Sequence, residues 1–236
     1  MSATILIRRS GERGHARHGW LDSRHTFSFA DYHDPAWMGF GPLRVINEDR
    51  VAPGGGFAPH RHANMEIISY VVDGGLQHRD SLGTGSVIVP GDVQCMSAGS
   101  VIEHSEFNAS QDAPVHFLQV WIQPDRINAS PRYAQEHFPA ESRRGRWKLV
   151  ASPDGAQGSL PIRQDARMFA TVLDDGEALA HALAAGRRAW LQVVRGSLRL
   201  EDATVLAAGD AVGISGPADL RLRAEAATEA VLFDLP

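Results

Sequence analysis

Two short stretches carry side chains of the types and spacing that hold a metal ion: PHRHANME, with His60 and His62, and IEHSEFN, with His104 and Glu106. Residues two apart on a β-strand share a face, so each stretch would project a pair of ligands into one space. Glu103 would alternate to the opposite face. An H-x-H pair alone is weak evidence, because 11 histidines in 236 residues give roughly 0.5 such pairs by chance. Two strands that present both pairs from one barrel wall would supply three imidazoles and a carboxylate, with open positions left on a six-coordinate ion. That donor set suits Fe(II), Mn(II), Ni(II), Co(II) or Zn(II) better than Ca(II), and without a thiolate it does not describe a structural zinc knot. Glu66 follows His62 by four residues. Spacing leaves open whether Glu66 or Glu106 is the carboxylate ligand.

A wall of this kind needs short strands, and the chain supplies them. Gly and Pro punctuate LRVINED, EIISYVVDGG, SVIVPGD, VHFLQVWIQP, RMFATVLDDG, AWLQVVRGSLRL, AVGISG and AVLFDLP, the pattern of a β-sandwich or barrel. The order repeats. YVVDGGLQ from Tyr70 resembles QVVRGSLR from Gln192, and PGDVQCMSAG from Pro90 resembles AGDAVGISGP from Ala208, so two similar barrels facing one another are expected. The charged, Pro-containing stretch between Pro124 and Gln157 is expected to connect them. The best helix candidate is GEALAHALAAGRR, Gly176 to Arg188, rich in alanine and leucine.

Composition excludes several classes. With 43% apolar residues the chain can bury a sizeable core. A net charge of −5 without a basic stripe gives no reason to expect nucleic acid. The run Arg143, Arg144, Arg146 and Lys148 reads as a solvated connector. Cys95 is the single cysteine, so no intrachain disulfide forms and a reducing cytoplasm is the expected location. The N-terminal segment has too few apolar residues for a signal peptide, and no stretch approaches the roughly 20 apolar residues of a membrane span.

Gly54 to Glu66 reads G-x5-H-x-H-x3-E, which matches the first cupin motif, and Gly91 through Gly99 to His104 and Asn108 forms an altered second motif. More specifically, HGWLDSRHTFSFADYHDPAWMGFGPLRVINED, HANMEIISYVVDGGLQHRDS and MSAGSVIEHSEFN resemble the pirin family, as do AWLQVVRGSLRL and VLFDLP in the second half. The resemblance implies an all-β bicupin of two face-to-face jelly-roll-type barrels with few short helices: a metal-binding barrel over 1–134, a connector over 135–158 and a degenerate barrel over 159–236. It also implies that the metal ligands are His60, His62, His104 and Glu106. Glu66 then takes a place behind the ligands or a hydrogen bond within its strand. One divalent ion is expected, Fe(II) foremost, with Mn, Ni, Co, Cu or Zn as alternatives. As a control, shifting by the internal repeat maps the four ligands onto Ala182, Ala184, Leu222 and Ala224, so the second barrel is expected to be metal-free.

Some pirins are similar to quercetinases, which open the central ring of a flavonol with O2. The implied activity is therefore quercetin 2,3-dioxygenase, with the flavonoid and O2 as partners and Glu106 as both ligand and general base. The alternative is an iron-binding regulatory or redox-sensing pirin that acts through a protein partner without turnover. A monomer is expected. The sequence departs from the family pattern at Ala58, Arg61, Ser97 and Val101. Val101 stands where glycine is usual, and a valine there would resist a positive φ. His78 reads as a surface histidine on a strand, with reach to the pocket as the alternative. His15, His18, His25 and His33 read as hydrogen-bonding or capping residues, His116 as lying along a half-buried strand, and Asn108 as tying a strand end to a turn. Trp20, Phe27, Phe29, Trp37 and Phe40 read first as core packing, with some free to line a flavonoid pocket.

Overall fold

The computed structural model describes residues 4–236, whose regular structure is nearly all β-strand, with a single turn of α-helix, Ala140–Arg143, and two 3-10 turns. All eight β-rich runs of the sequence lie on strands. The chain divides into two compact units, one formed by Gly14–Phe138 with Leu160–Gln164, the other by the residues through Arg13, Pro139–Ser159 and Asp165–Pro236.

The first unit pairs a large sheet with a small one. The large sheet runs Arg132–His137, Asp92–Ser97, Glu66–Asp73, Val115–Ile122, Leu43–Val51, Leu21–His25, Gly14–Arg17, and the small one Gly56–His62, Ile102–Asn108, Leu76–Asp80, Gly85–Ile88. Every pair in both is antiparallel. Val51, Val71, Val115 and Phe117 from the large sheet meet Leu76 and Ile88 from the small one in a common core, all at most 1% exposed. Burying apolar faces of this kind contributes about 25 cal/mol per Å² of apolar surface.

The second unit repeats the plan, with a sheet through Thr4–Arg8, Ala211–Ser215, Arg188–Arg195, Thr228–Leu235, Arg167–Leu173 and Lys148–Ser152, and another through Ala178–Leu183, Ala218–Ala224, Ser197–Leu200 and Val205–Ala207. Its interior is filled with Leu, Val, Ile and Ala; Leu222 pairs with Leu200 as Glu106 pairs with His78, so the ladders place the buried Leu220 and Leu222, rather than the expected Leu222 and Ala224, where the first unit has His104 and Glu106. The internal repeat is legible in the backbone: Gly74 and Gly196 occupy the same turn with φ of 78° and 74°, a conformation that costs glycine little.

Three expectations change. The segment Gly176 to Arg188 forms no helix; Ala178–Leu183 is a strand paired with Ala218–Ala224. Its A-L-A-H-A-L order is also a period of two, which puts Leu183 in the core with Leu179 packed against it. The neighbouring strand and that apolar face override the helix preference of alanine. The domain limits also shift. The N-terminal strand pairs with Ala211–Ser215 and so joins the second unit, while the stretch 135–158 contributes Lys148–Ser152 to a sheet. Finally, Arg143 is not solvated: it is 6% exposed and bonds Glu229 at 2.8 Å, and Arg144 pairs with Asp174.

Candidate metal centre

The strand Ile102–Asn108 alternates buried and half-buried residues, with His104 and Glu106 inward. Glu103 turns outward, where it bonds Arg61 at 3.0 Å. His104 lies opposite His60 in the ladder, and His62 opposite Ile102. Between His104 and Glu106 the register slips by one residue on the Gly56–His62 side. Pro59 sits in that slip, where a residue without an N–H is tolerated. The Ala58 carbonyl accepts a hydrogen bond from His60 Nδ1 at 2.8 Å. That bond leaves the Nε2 lone pair of His60 free to face the site.

Three Nε2 atoms converge. His104 Nε2 lies 3.0 Å from His62 Nε2 and 3.0 Å from His60 Nε2. Two nitrogens at right angles on an ion with bonds of about 2.1 Å would stand about 3.0 Å apart. Burial and the neighbouring imidazoles hold two of these rings neutral: His62 is lowered to about 4 by burial and then by His60, and His104 is lowered further for the same reasons. Neutral imidazoles are the form that binds a metal. The residues present therefore fit a divalent transition ion.

Glu106 also lines the cavity, but its carboxylate groups with His104 and His78, donor atoms within 4.8 Å of one another, and not with His60 and His62; His104 is the member common to both groups. The Glu106 carboxylate accepts hydrogen bonds from Ser69 Oγ at 3.1 Å and Gln119 Nε2 at 2.6 Å. Burial raises its pKa from 4.5 to about 7, with a contribution from Asp49 and opposition from the two hydrogen bonds. Asp49, held by the Ser23 hydroxyl, is also raised by burial to about 7. In the metal-free protein both groups bind more protons folded than unfolded between about pH 4 and pH 7. Stability is therefore expected to fall as pH rises through that window. Urea midpoints across the window check the sign, and Glu106→Gln should flatten the slope.

Glu66 is not part of this cluster. Its carboxylate accepts from Ser97 Oγ at 2.6 Å and from the Arg163 backbone N–H at 3.2 Å, so its hydrogen bonds run to a neighbouring strand and a loop rather than within its own strand. Ser97, the departure from the usual cupin proline, is its partner across the ladder. Glu66→Ala is accordingly expected to keep full metal content and to lose about 1–3 kcal/mol of stability, readable by urea unfolding.

Beside the imidazoles opens a cavity of about 890 Å³. Trp20, Phe29, Tyr32, Phe57 and Trp121 form aromatic walls, and Asn47, Asp49 and Gln119 line it from the large sheet together with Glu106. Trp121 stands edge-on to His62 at 5.0 Å. The indole N–H of Trp121 and the side-chain oxygen of Asn47 are buried without a hydrogen-bond partner among the described residues. Trp20 and Phe29 thus take the pocket role left open by the sequence, while Phe27 and Phe40 are buried.

The remaining expectations divide. Asn108 ties its strand end to a turn, donating to the carbonyls of Val51 and Ala113 and accepting from Ser110 N. Val101 is half exposed and not among the positive-φ residues; Gly99 takes the left-handed turn with φ of 53°. A side chain at Gly99 would strike the Ala129 carbonyl, so the glycine requirement sits two residues earlier. Cys95 is buried, which pushes its thiol pKa up. His78 is not a surface residue: its side chain is 0% exposed and bonds Asp80 at 3.0 Å. The sequence assigns no role to Asp49, Ser69, Asp80 or Gln119; for Asp49, Ser69 and Gln119 the available signal is polarity inside apolar-rich strands, whereas Asp80 ends the polar strand LQHRD and carries no such mark.

Family models match in two places: Pirin over residues 7–122 and a Quercetinase C-terminal cupin domain over residues 149–235. A protein of Escherichia coli named quercetin 2,3-dioxygenase is 43% identical over 98% of this chain and 99% of its own. A pirin-like protein of Caulobacter vibrioides is 42% identical over 94% of this chain and 95% of its own. Among solved structures, the bacterial pirin YhhW of Escherichia coli in complex with nickel(II) superposes with a TM-score of 0.93 at 42% identity, covering 99% of both chains. Among the described residues, no helix is long and apolar enough to cross a membrane.

Proposed function

The chain belongs to the pirin family, and on that premise we propose that it is a metal-dependent dioxygenase that cleaves the flavonol quercetin with O2. The relatives named quercetin 2,3-dioxygenase support the reading. The observation that carries it is the convergence of three imidazoles beside a cavity of about 890 Å³ with aromatic walls and a buried carboxylate.

His60, His62, His104 and Glu106 would hold one divalent ion, Fe(II) foremost. When bound, the ion would act as a Lewis acid toward the adjacent oxygens of a flavonol, lowering the pKa of the hydroxyl and favouring its anion. Trp20 with Phe57, and Phe29 with Trp121, form edge-to-face pairs on the cavity wall, aromatic surfaces against which the flat rings of a flavonol would stack. Glu106 accepts the hydroxyl proton; burial has placed its pKa near 7, the range suited to a general base at neutral pH.

Oxygen uptake with quercetin tests the proposal, using protein of known metal content reloaded with Fe(II), Mn(II), Ni(II), Co(II), Cu(II) or Zn(II). Uptake that tracks occupancy supports turnover. No uptake with any fully loaded ion would reject it in favour of a regulatory or redox-sensing role.

A further inference from the structure

We propose that Asp80 and His78 are positioning residues that fix the tautomer and orientation of His104, so that its Nε2 always presents a lone pair to the metal. The inference rests on the metal-centre reading above. It begins with Asp80, whose Oδ1 accepts hydrogen bonds from the backbone N–H groups of Leu82 at 2.9 Å and Thr84 at 3.0 Å. Those bonds aim Oδ2 at His78 Nε2, 3.0 Å away. A carboxylate only accepts, so His78 carries its proton on Nε2 and leaves Nδ1 as an acceptor. That Nδ1 faces His104 Nδ1 at 3.5 Å, the outer limit of a hydrogen bond. His104 must then be the donor through Nδ1–H, and its Nε2 is left unprotonated toward His60 and His62.

The placement has no role toward substrate. Both side chains are 0% exposed, and neither lines the cavity. They come from the strand Leu76–Asp80, where Asp80 lies opposite His104 and His78 opposite Glu106. His60 has its tautomer set by the Ala58 carbonyl; Asp80 and His78 do the same for His104 from the other side of the site. Outer partners of metal-bound histidines typically contribute 10–100-fold to metal affinity.

His78 also stacks on Tyr133, with ring centroids 4.8 Å apart and planes 27° apart. A packing role and an acceptor role are separable. His78→Phe keeps a ring against Tyr133 and removes the acceptor; His78→Gln loses the ring and restores an amide oxygen that can accept from His104. Asp80→Asn, nearly isosteric, turns an N–H₂ toward His78 and reverses the chain of tautomers, which would place a proton on His104 Nε2. Co(II) affinity of each purified full-length variant is measured by chelator competition. Imidazole ¹⁵N shifts of the metal-free proteins report the His104 tautomer directly.

The expected result is a loss of about 10–100-fold in Co(II) affinity for His78→Phe and Asp80→Asn, with His78→Gln within about threefold of the parent. The ¹⁵N spectrum of Asp80→Asn should show the His104 proton moved from Nδ1 to Nε2. Phe binding Co(II) as well as or better than Gln would overturn the proposal, as would an unchanged tautomer in Asp80→Asn. His62→Ala is the separate control: if it binds Co(II) as tightly as the parent, the metal-centre reading fails instead.

Discussion

Replacing His62 with alanine is expected to leave the protein without stoichiometric metal and without quercetin-dependent oxygen uptake. Burial and the neighbouring His60 depress His62 to about 4, so at neutral pH its lone pair is available and no proton has to be displaced. Its Nε2 lies 3.0 Å from that of His104, and removal leaves two imidazoles and Glu106. Loss of a direct ligand should exceed the 10–100-fold typical of an outer partner. The fold should survive, because His62 is only partly buried and stands at a cavity wall beside Trp121 rather than in the apolar core. Elemental analysis after exhaustive dialysis reads the outcome. Metal retained at full stoichiometry in this variant would overturn the ligand assignment. Activity lost with metal retained would instead place His62 in the substrate site.

Why was so much of this centre visible in the chain itself? The ligand pairs are two residues apart, and a strand converts that spacing into a shared face without help from the rest of the fold. His104 and Glu106 therefore point inward and Glu103 outward, as alternation requires. The limits appear where partners come from other strands. Nothing local marks His78 as buried, since its acceptor role depends on Asp80 two residues on and His104 on the next strand. Asp49 sits in LRVINED, where alternation gives the strand but not the cavity it faces. The segment Ala178–Leu183 shows the opposite failure: its composition favours helix, and only pairing with Ala218–Ala224 decides for strand. Likewise the opening residues fall within the first barrel, 1–134, by their place in the chain alone, whereas the hydrogen bonds of Thr4–Arg8 join it to Ala211–Ser215.

Two buried carboxyl groups face the cavity, and substitution should separate their roles. Glu106→Gln is expected to lower kcat by about 10²–10⁴-fold at matched metal occupancy, the usual cost of removing a positioned base. Asp49→Asn is expected to stay within about tenfold of the parent. The difference follows from charge. Both groups are pushed to about 7 by burial, with Glu48 adding to the rise of Asp49 and Asp49 adding to that of Glu106, so two neighbouring carboxyls are expected to give up their protons in two steps. A bound cation stabilises the charge on Glu106, its proposed ligand, and favours ionisation there first. Asp49 then keeps its proton, and asparagine reproduces that neutral shape while still accepting from the Ser23 hydroxyl. Glu106→Gln has no such equivalence, because Ser69 and Gln119 both donate to the carboxylate and an amide offers only one oxygen to accept. Steady-state oxygen uptake of the two variants, with kcat and KM determined separately, decides it. If Asp49→Asn falls as far in kcat as Glu106→Gln while holding its metal, the proton goes to Asp49 and Glu106 serves as a ligand alone.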